Sequence, residues 1–132
     1  MEQAQVSKLM QAALEEAARQ GVPITVAVVD DGGHLRGLMR QEGCSYFAID
    51  VSRRKALTAS QLKMPTHVLG EVAQKFPALQ SSFASNPDIE TLPGGVPVIR
   101  EGRVLGGLGV AGGNFGQDQS IAEKAIKMAV ED

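Results

Sequence analysis

The sequence predicts an α+β fold, helices packed on an antiparallel sheet, and three observations carry that prediction. Two hairpin signatures stand far apart in the chain, Asp30-Asp31-Gly32-Gly33 and the two-residue turn Glu101-Gly102. Helical periodicity fills the segments before, between and after them. No β-α-β alternation of the kind that builds a parallel sheet is present.

The first helix is predicted from Val6, Leu9, Met10, Ala13, Leu14, Ala17 and Ala18, which recur on one helical face until Gly21 and Pro23 stop it. Residues 24–29 are β-branched apart from Ala27 and read as a largely buried strand. The turn glycines supply the positive φ that tight hairpins need. His34, Arg36 and Arg40 then alternate with Leu35, Gly37 and Met39, the pattern of a half-buried strand. Residues 41–44 read as loop, and Ser45 as the N-cap of a helix to about Lys63. The inner stripe of that helix, Ala48, Ser52, Ala56 and Ala59, is small enough to lie close against a sheet. Met64-Pro65 ends it. Thr66 is placed to cap a short helix through Val72, and Pro77 to open another. Residues 85–88 are loop. Residues 96–100 and 103–110 form the second hairpin. A glycine-rich loop leads to Asp118, the expected cap of a last helix with Ile121, Ala122, Ala125, Ile126, Ala129 and Val130 on one face. Glu131-Asp132 reads as a charged terminus. The predicted order is α-β-β-α-α-α-β-β-α.

With 132 residues, one domain is expected, burying roughly two-thirds of its unfolded surface. Aromatic content is 4% with no Trp, so the core must come from Val, Ile, Leu, Ala and Met. Fifteen glycines imply close helix-on-sheet packing. Net charge is −2 and the longest basic run is Arg53-Arg54-Lys55, so the basic surface that nucleic-acid binding requires is missing. One cysteine, Cys44, can form neither an internal disulfide nor a cysteine zinc site. The opening MEQAQVSKLM is acidic and amphipathic, unlike a signal peptide, and no stretch approaches the roughly 18 apolar residues of a span. The expectation is a cytoplasmic chain with a small-molecule ligand, and with neither nucleic acid nor membrane as partner.

Residues 107–112 spell G-x-G-x-x-G after a strand and before a helix. A dinucleotide site needs a further strand with an acidic residue about 20 positions on, and here the chain ends in its last helix. The glycines are therefore expected to let strand and helix approach closely. The N–H groups of Gly112, Gly113 and Asn114 remain a candidate anion cradle. His34 and His67 are the only histidines and lack the spacing that sets two zinc ligands on one helical face. Lys55, Arg53 and Arg54 are candidates to pair with carboxylates of a ligand; Arg53 and Arg54 read rather as a solvated helix face, whereas Lys55 falls among Ile49, Val51, Ala56 and Ala59. Cys44 precedes a helix cap, which favours a thiolate, but no adjacent histidine can serve as its base. It reads as a buried or loop thiol.

Four stretches, in this order and spacing, resemble one family: Val28-Val29-Asp30-Asp31-Gly32-Gly33-His34-Leu35; Lys55-Ala56-Leu57-Thr58-Ala59; Leu92-Pro93-Gly94-Gly95-Val96-Pro97-Val98-Ile99; and residues 105–113, ending in Asp118 and Ile121-Ala122. They are similar to the GlcG/HbpS family, also found as the C-terminal domain of PduO. The resemblance implies a profilin-like sandwich that forms dimers and larger oligomers, with haem binding in some members. Other members sit in glycolate or diol utilisation pathways. In the PduO-type domain the haem histidine lies near the N-terminus, and residues 1–20 here contain no histidine. The expected ligand is thus haem or a related tetrapyrrole, with His34 or His67 axial, Arg40 or Lys55 pairing with propionates, and Gly109, Gly112 and Gly113 forming one wall. Two alternatives stand beside it. One is an enzyme or accessory subunit for small hydroxy acids or diols, using Lys55, Asp118 and the loop amides as an anion site. The other is an oligomeric sensor or assembly protein.

Overall fold

A computed structural model describes residues 1–130; the Glu131-Asp132 pair lies outside the described residues. The elements are α1 (Gln3–Gln20), β1 (Thr25–Asp30), β2 (Leu35–Arg40), α2 (Phe47–Leu62), α3 (Thr66–Lys75), α4 (Pro77–Ser85), β3 (Gly95–Arg100), β4 (Arg103–Ala111) and α5 (Phe115–Ala129). Their order is the predicted one. The strands form one antiparallel sheet, β2-β1-β4-β3. The two hairpins join through β1 and β4, where Thr25 faces Ala111 and Asp30 faces Gly106.

Strand side chains alternate between faces, and each face has its own cover. Val26, Val28, Leu108 and Val110 pack beneath α1 and α5, against Leu9, Ala13, Ala17, Ile121 and Ala125. Glu16 of α1 ties the two helices together, 3.4 Å from Lys124. Its hydrogen bond from Gln20, aided by Arg19 and Lys124, holds its carboxyl below the ordinary range against the cost of burial. On the opposite face Ala27 and Val29 meet Ala56 of α2. There the helix backbone lies almost on the strand: a Cβ on Gly107 would overlap the Ala56 carbonyl oxygen, and one on Gly109 that of Ser52. Close approach is therefore the reason for the β4 glycines.

Both turns are built as their sequences require. Glu101 and Gly102 take φ of 51° and 77°, the paired left-handed conformation whose twist matches a hairpin. Asp30 Oδ1 accepts the N–H groups of Gly32 (3.0 Å) and His34 (2.9 Å). These bonds, the one from His34 foremost, hold the Asp30 carboxyl below its ordinary value. A lowered folded value stabilises above the unfolded value of 3.8 and is lost as pH falls through the folded one. Asp30→Ala should thus cost about 1–2 kcal/mol at neutral pH. The deficit should shrink in acid, as urea melts at the two pH values would show.

Four local expectations need correction. The second strand is not half-buried: Leu35 and Met39 are 50% and 48% exposed, because β2 is an edge strand that the helices barely reach. Asp118 is not the cap of α5. Asn114 is, in a reciprocal capping box with Gln117. The Thr66 hydroxyl makes no cap either; it donates to Leu92 O at 2.7 Å and accepts from Gly95 N at 3.0 Å. Ser45 accepts the Phe47 N–H at 3.3 Å, but α2 starts only at Phe47.

Candidate functional site

Lys55 projects from α2 into the protein and is 2% exposed. Its Nζ donates to Val110 O at 2.8 Å and to Asp118 Oδ2 at 3.2 Å. Asp118, 3% exposed, takes the Gly113 N–H on Oδ1 at 2.9 Å. One ion pair thereby joins α2, β4 and the first turns of α5. Gly94, at φ 126°, closes over it, since a Cβ there would stand 2.9 Å from Lys55 Nζ. Burial raises the Asp118 carboxyl and lowers the Lys55 ammonium, and each charge partly offsets the other's shift.

Next to this pair lies a cavity of about 570 Å³. It opens between the α3–α4 pair and residues 89–93, with Arg54 of α2 and Phe115 of α5 completing the wall. Phe83, Ile89, Leu92 and Phe115 give it apolar surface. Pro93 lines it and precedes Gly94, so the ion pair sits just behind the wall. Arg54 Nη2 donates to Ile89 O at 3.1 Å, and Nη1 lies 3.4 Å from Glu90 Oε1. Its Nε and the Nδ1 of His67 are, among the described residues, the buried side-chain polar atoms without a hydrogen-bond partner. Leaving such an atom unsatisfied costs about 1–3 kcal/mol. Both belong to residues that line the cavity.

The residues singled out from sequence divide among several places. Lys55, Asp118 and Gly113 come together as above. Gly109 lies under α2, and Gly112 packs at Cys44 and the Pro23 carbonyl. The N–H groups of Gly113 and Asn114 are already engaged, by Asp118 and Gln117. His67 lines the cavity. His34 does not: its side chain is 83% exposed at the β1–β2 turn, with Nδ1 3.4 Å from Asp30. Arg40 donates to Cys44 O at 2.7 Å and closes the 41–44 loop. β2, which carries Arg40 and follows His34, and β3, on which α3 packs, form opposite edges of the sheet. The solvated-face reading of Arg54 is corrected, since its side chain is 23% exposed and lines the cavity, and sequence reasoning missed Glu90, Phe83 and Phe115. Helical periodicity puts Arg54 on the flank of α2, and no local signal reports that residues 66–93 fold over that flank. No group of three or more His, Cys, Asp or Glu among the described residues gathers as a metal site. No helix among them is long and apolar enough to cross a membrane.

Fold and cavity together define a small α+β protein with a four-stranded antiparallel sheet and a hollow built beside it. The chain belongs to the HbpS-like family, whose model, described as haem degrading protein HbpS-like, matches residues 1–127. It is 34% identical to Protein GlcG of Escherichia coli over 111 residues, 84% of this chain and 81% of that protein. Among solved structures it is similar to Klebsiella pneumoniae protein ORFY (TM-score 0.92, 30% identity, 99% of this chain and 92% of that one). It is also similar to the PduOC:heme complex (TM-score 0.91, 32% identity, 97% and 94%).

Proposed function

We propose that this chain is a haem- or tetrapyrrole-binding domain, with the α3–α4 cavity as the site and His67 as the axial ligand. The observation that carries this reading is His67 itself, the one imidazole among the residues that line the cavity. Imidazole is a common protein ligand of haem iron. The volume falls within the range of about 300–1,000 Å³ usual for small-ligand pockets, and the Phe83, Leu92 and Phe115 side chains suit an apolar macrocycle. A bound haem would supply a redox-active iron; the chain's own part is to ligate it through His67 and to shield it with those walls. The family description and the solved PduOC:heme complex support the same ligand class. Self-association belongs to this reading too, supported by the exposed Tyr46–Phe47 stack, with ring centroids 4.6 Å apart.

The hydroxy-acid or diol reading needs Lys55, Asp118 and the loop amides free to hold an anion. Lys55, Asp118 and the Gly113 N–H are bonded to one another and both side chains are buried, so the cavity is the better supported site. A haem titration followed by absorbance decides. Wild type and His34→Ala should bind saturably, one to one, with a shifted Soret band. His67→Ala should lose that band shift and at least about 10-fold in affinity, the low end for disturbing even an outer-shell group of a metal site. A nonsaturating response in wild type would sink the haem reading.

A further inference from the structure

Arg54 sits in the cavity wall with part of its hydrogen-bonding capacity spoken for. Nη2 is anchored on the Ile89 carbonyl at 3.1 Å, which fixes the plane of the guanidinium. Nη1 faces Glu90 Oε1 at 3.4 Å and Asp50 Oδ2 at 3.8 Å, both long for a charge-assisted hydrogen bond. Asp50 is shared with Arg53, which holds it at 3.0 Å. Nε is buried and has no partner. A guanidinium has donors only, so the partner missing at Nε must be an acceptor. A planar fork favours a carboxylate in that role.

We infer that Arg54 is the carboxylate anchor of this cavity, and that its ligand is a largely apolar molecule bearing a carboxylate. The inference rests on the cavity being a ligand site but not on the ligand containing iron. It assigns to Arg54 the role that the sequence suggested for Arg40 or Lys55. Arg40 is engaged by the Cys44 carbonyl near the β2 edge, and Lys55 is enclosed with Asp118 behind Gly94. The acidic lining residues are Glu71 and Glu90. Glu71 disfavours an anion elsewhere on the wall and Glu90 stands at Arg54 itself; Arg54 is the fixed cation of the lining, so the carboxylate end of the ligand is directed to it. Glu90 keeps a second tie, its Oε2 accepting the Leu92 N–H at 3.3 Å, and need not move when a ligand carboxylate arrives.

The test compares acid and ester forms of two probes on the full chain, wild type and Arg54→Gln. One pair is haem and haem dimethyl ester. The other is pyrenebutyrate and its methyl ester, followed by fluorescence, which contains no iron. Wild type should prefer each acid over its ester by about 10-fold or more, the scale of one hydrogen bond to a charged group. Arg54→Gln should abolish the preference, and a urea melt matching that of wild type shows that the variant is folded. Equal affinity for acid and ester in wild type, a preference that survives Arg54→Gln, or no binding of either acid would overturn the inference. Failure of both haem forms alongside an Arg54-dependent pyrenebutyrate preference would remove the haem reading and keep the anchor.

Discussion

Lys55→Met is expected to destabilise the protein by about 3–5 kcal/mol at neutral pH, the usual cost of removing one partner of a buried pair. The reason is what it leaves behind. Asp118 would keep the Gly113 N–H but lose the cation it contacts, in a place 3% exposed. Lys55→Met with Asp118→Asn removes both charges and should recover a large part of the loss. The pH dependence follows from the direction of the Asp118 shift. Its carboxyl is raised above 3.8, so the folded state binds that proton more tightly than the unfolded chain. Stability from this group is fully present below 3.8 and is lost as pH rises through the folded value. Taking away Lys55 removes the attraction opposing that rise, so the window extends to higher pH. The penalty of Lys55→Met should accordingly be greatest near neutrality and shrink toward acid. Urea melts of the single and double variants across that range measure it. With Asp118→Asn measured alone as well, a double-variant loss equal to the sum of the two single losses would show that the two charges are not coupled.

Gly109→Val should be as damaging, for a steric reason. Its Cβ would overlap the Ser52 carbonyl oxygen and stand 2.7 Å from the Ala56 amide nitrogen, and neither can rotate away because both belong to the α2 backbone. Overpacking against movable side chains costs about 1–3 kcal/mol; against a helix backbone the cost should exceed that. A drop in Tm of about 10 °C or more is expected. Gly102→Ala is the informative comparison. It sits at φ 77° with nothing within 4 Å of the added carbon, so only backbone strain is at stake. Its cost should be about 1 kcal/mol. If the two substitutions shift Tm equally, close approach of α2 is not what the β4 glycines serve.

The order of elements, both hairpin turns and the small inner face of α2 were legible in the sequence because each is written locally. Residues 24–29 are a β-branched run, Glu101-Gly102 is a turn dipeptide, and Ala48, Ser52, Ala56 and Ala59 recur at helical spacing. The failures have a common cause. Asp118 has the chemistry of a cap, but Asn114 reached that position first and left Asp118 one turn further in, facing Lys55. Thr66 likewise opens α3, yet its hydroxyl serves residues 92 and 95 across the fold. Alternation in residues 34–40 showed a strand but not its place at the sheet edge. The cavity was least legible. Its wall draws on Arg54, His67, Phe83, residues 89–93 and Phe115, which no shared period connects. Lys55 was recognised by its apolar neighbours in sequence; Arg54, one position earlier, was read with Arg53 as a solvated face although Val51 and Leu57 lie three positions to either side.

α4 buries none of its residues, and its packing is chiefly on α3. Yet Gln80, Phe83 and Ala84 of α4 form part of the cavity wall. The hollow is therefore lined in part by a segment on which the sheet and its two helical covers do not depend. Substitutions there alter what the hollow admits while leaving the load-carrying layers untouched. Such a molecule can change its guest without changing its architecture.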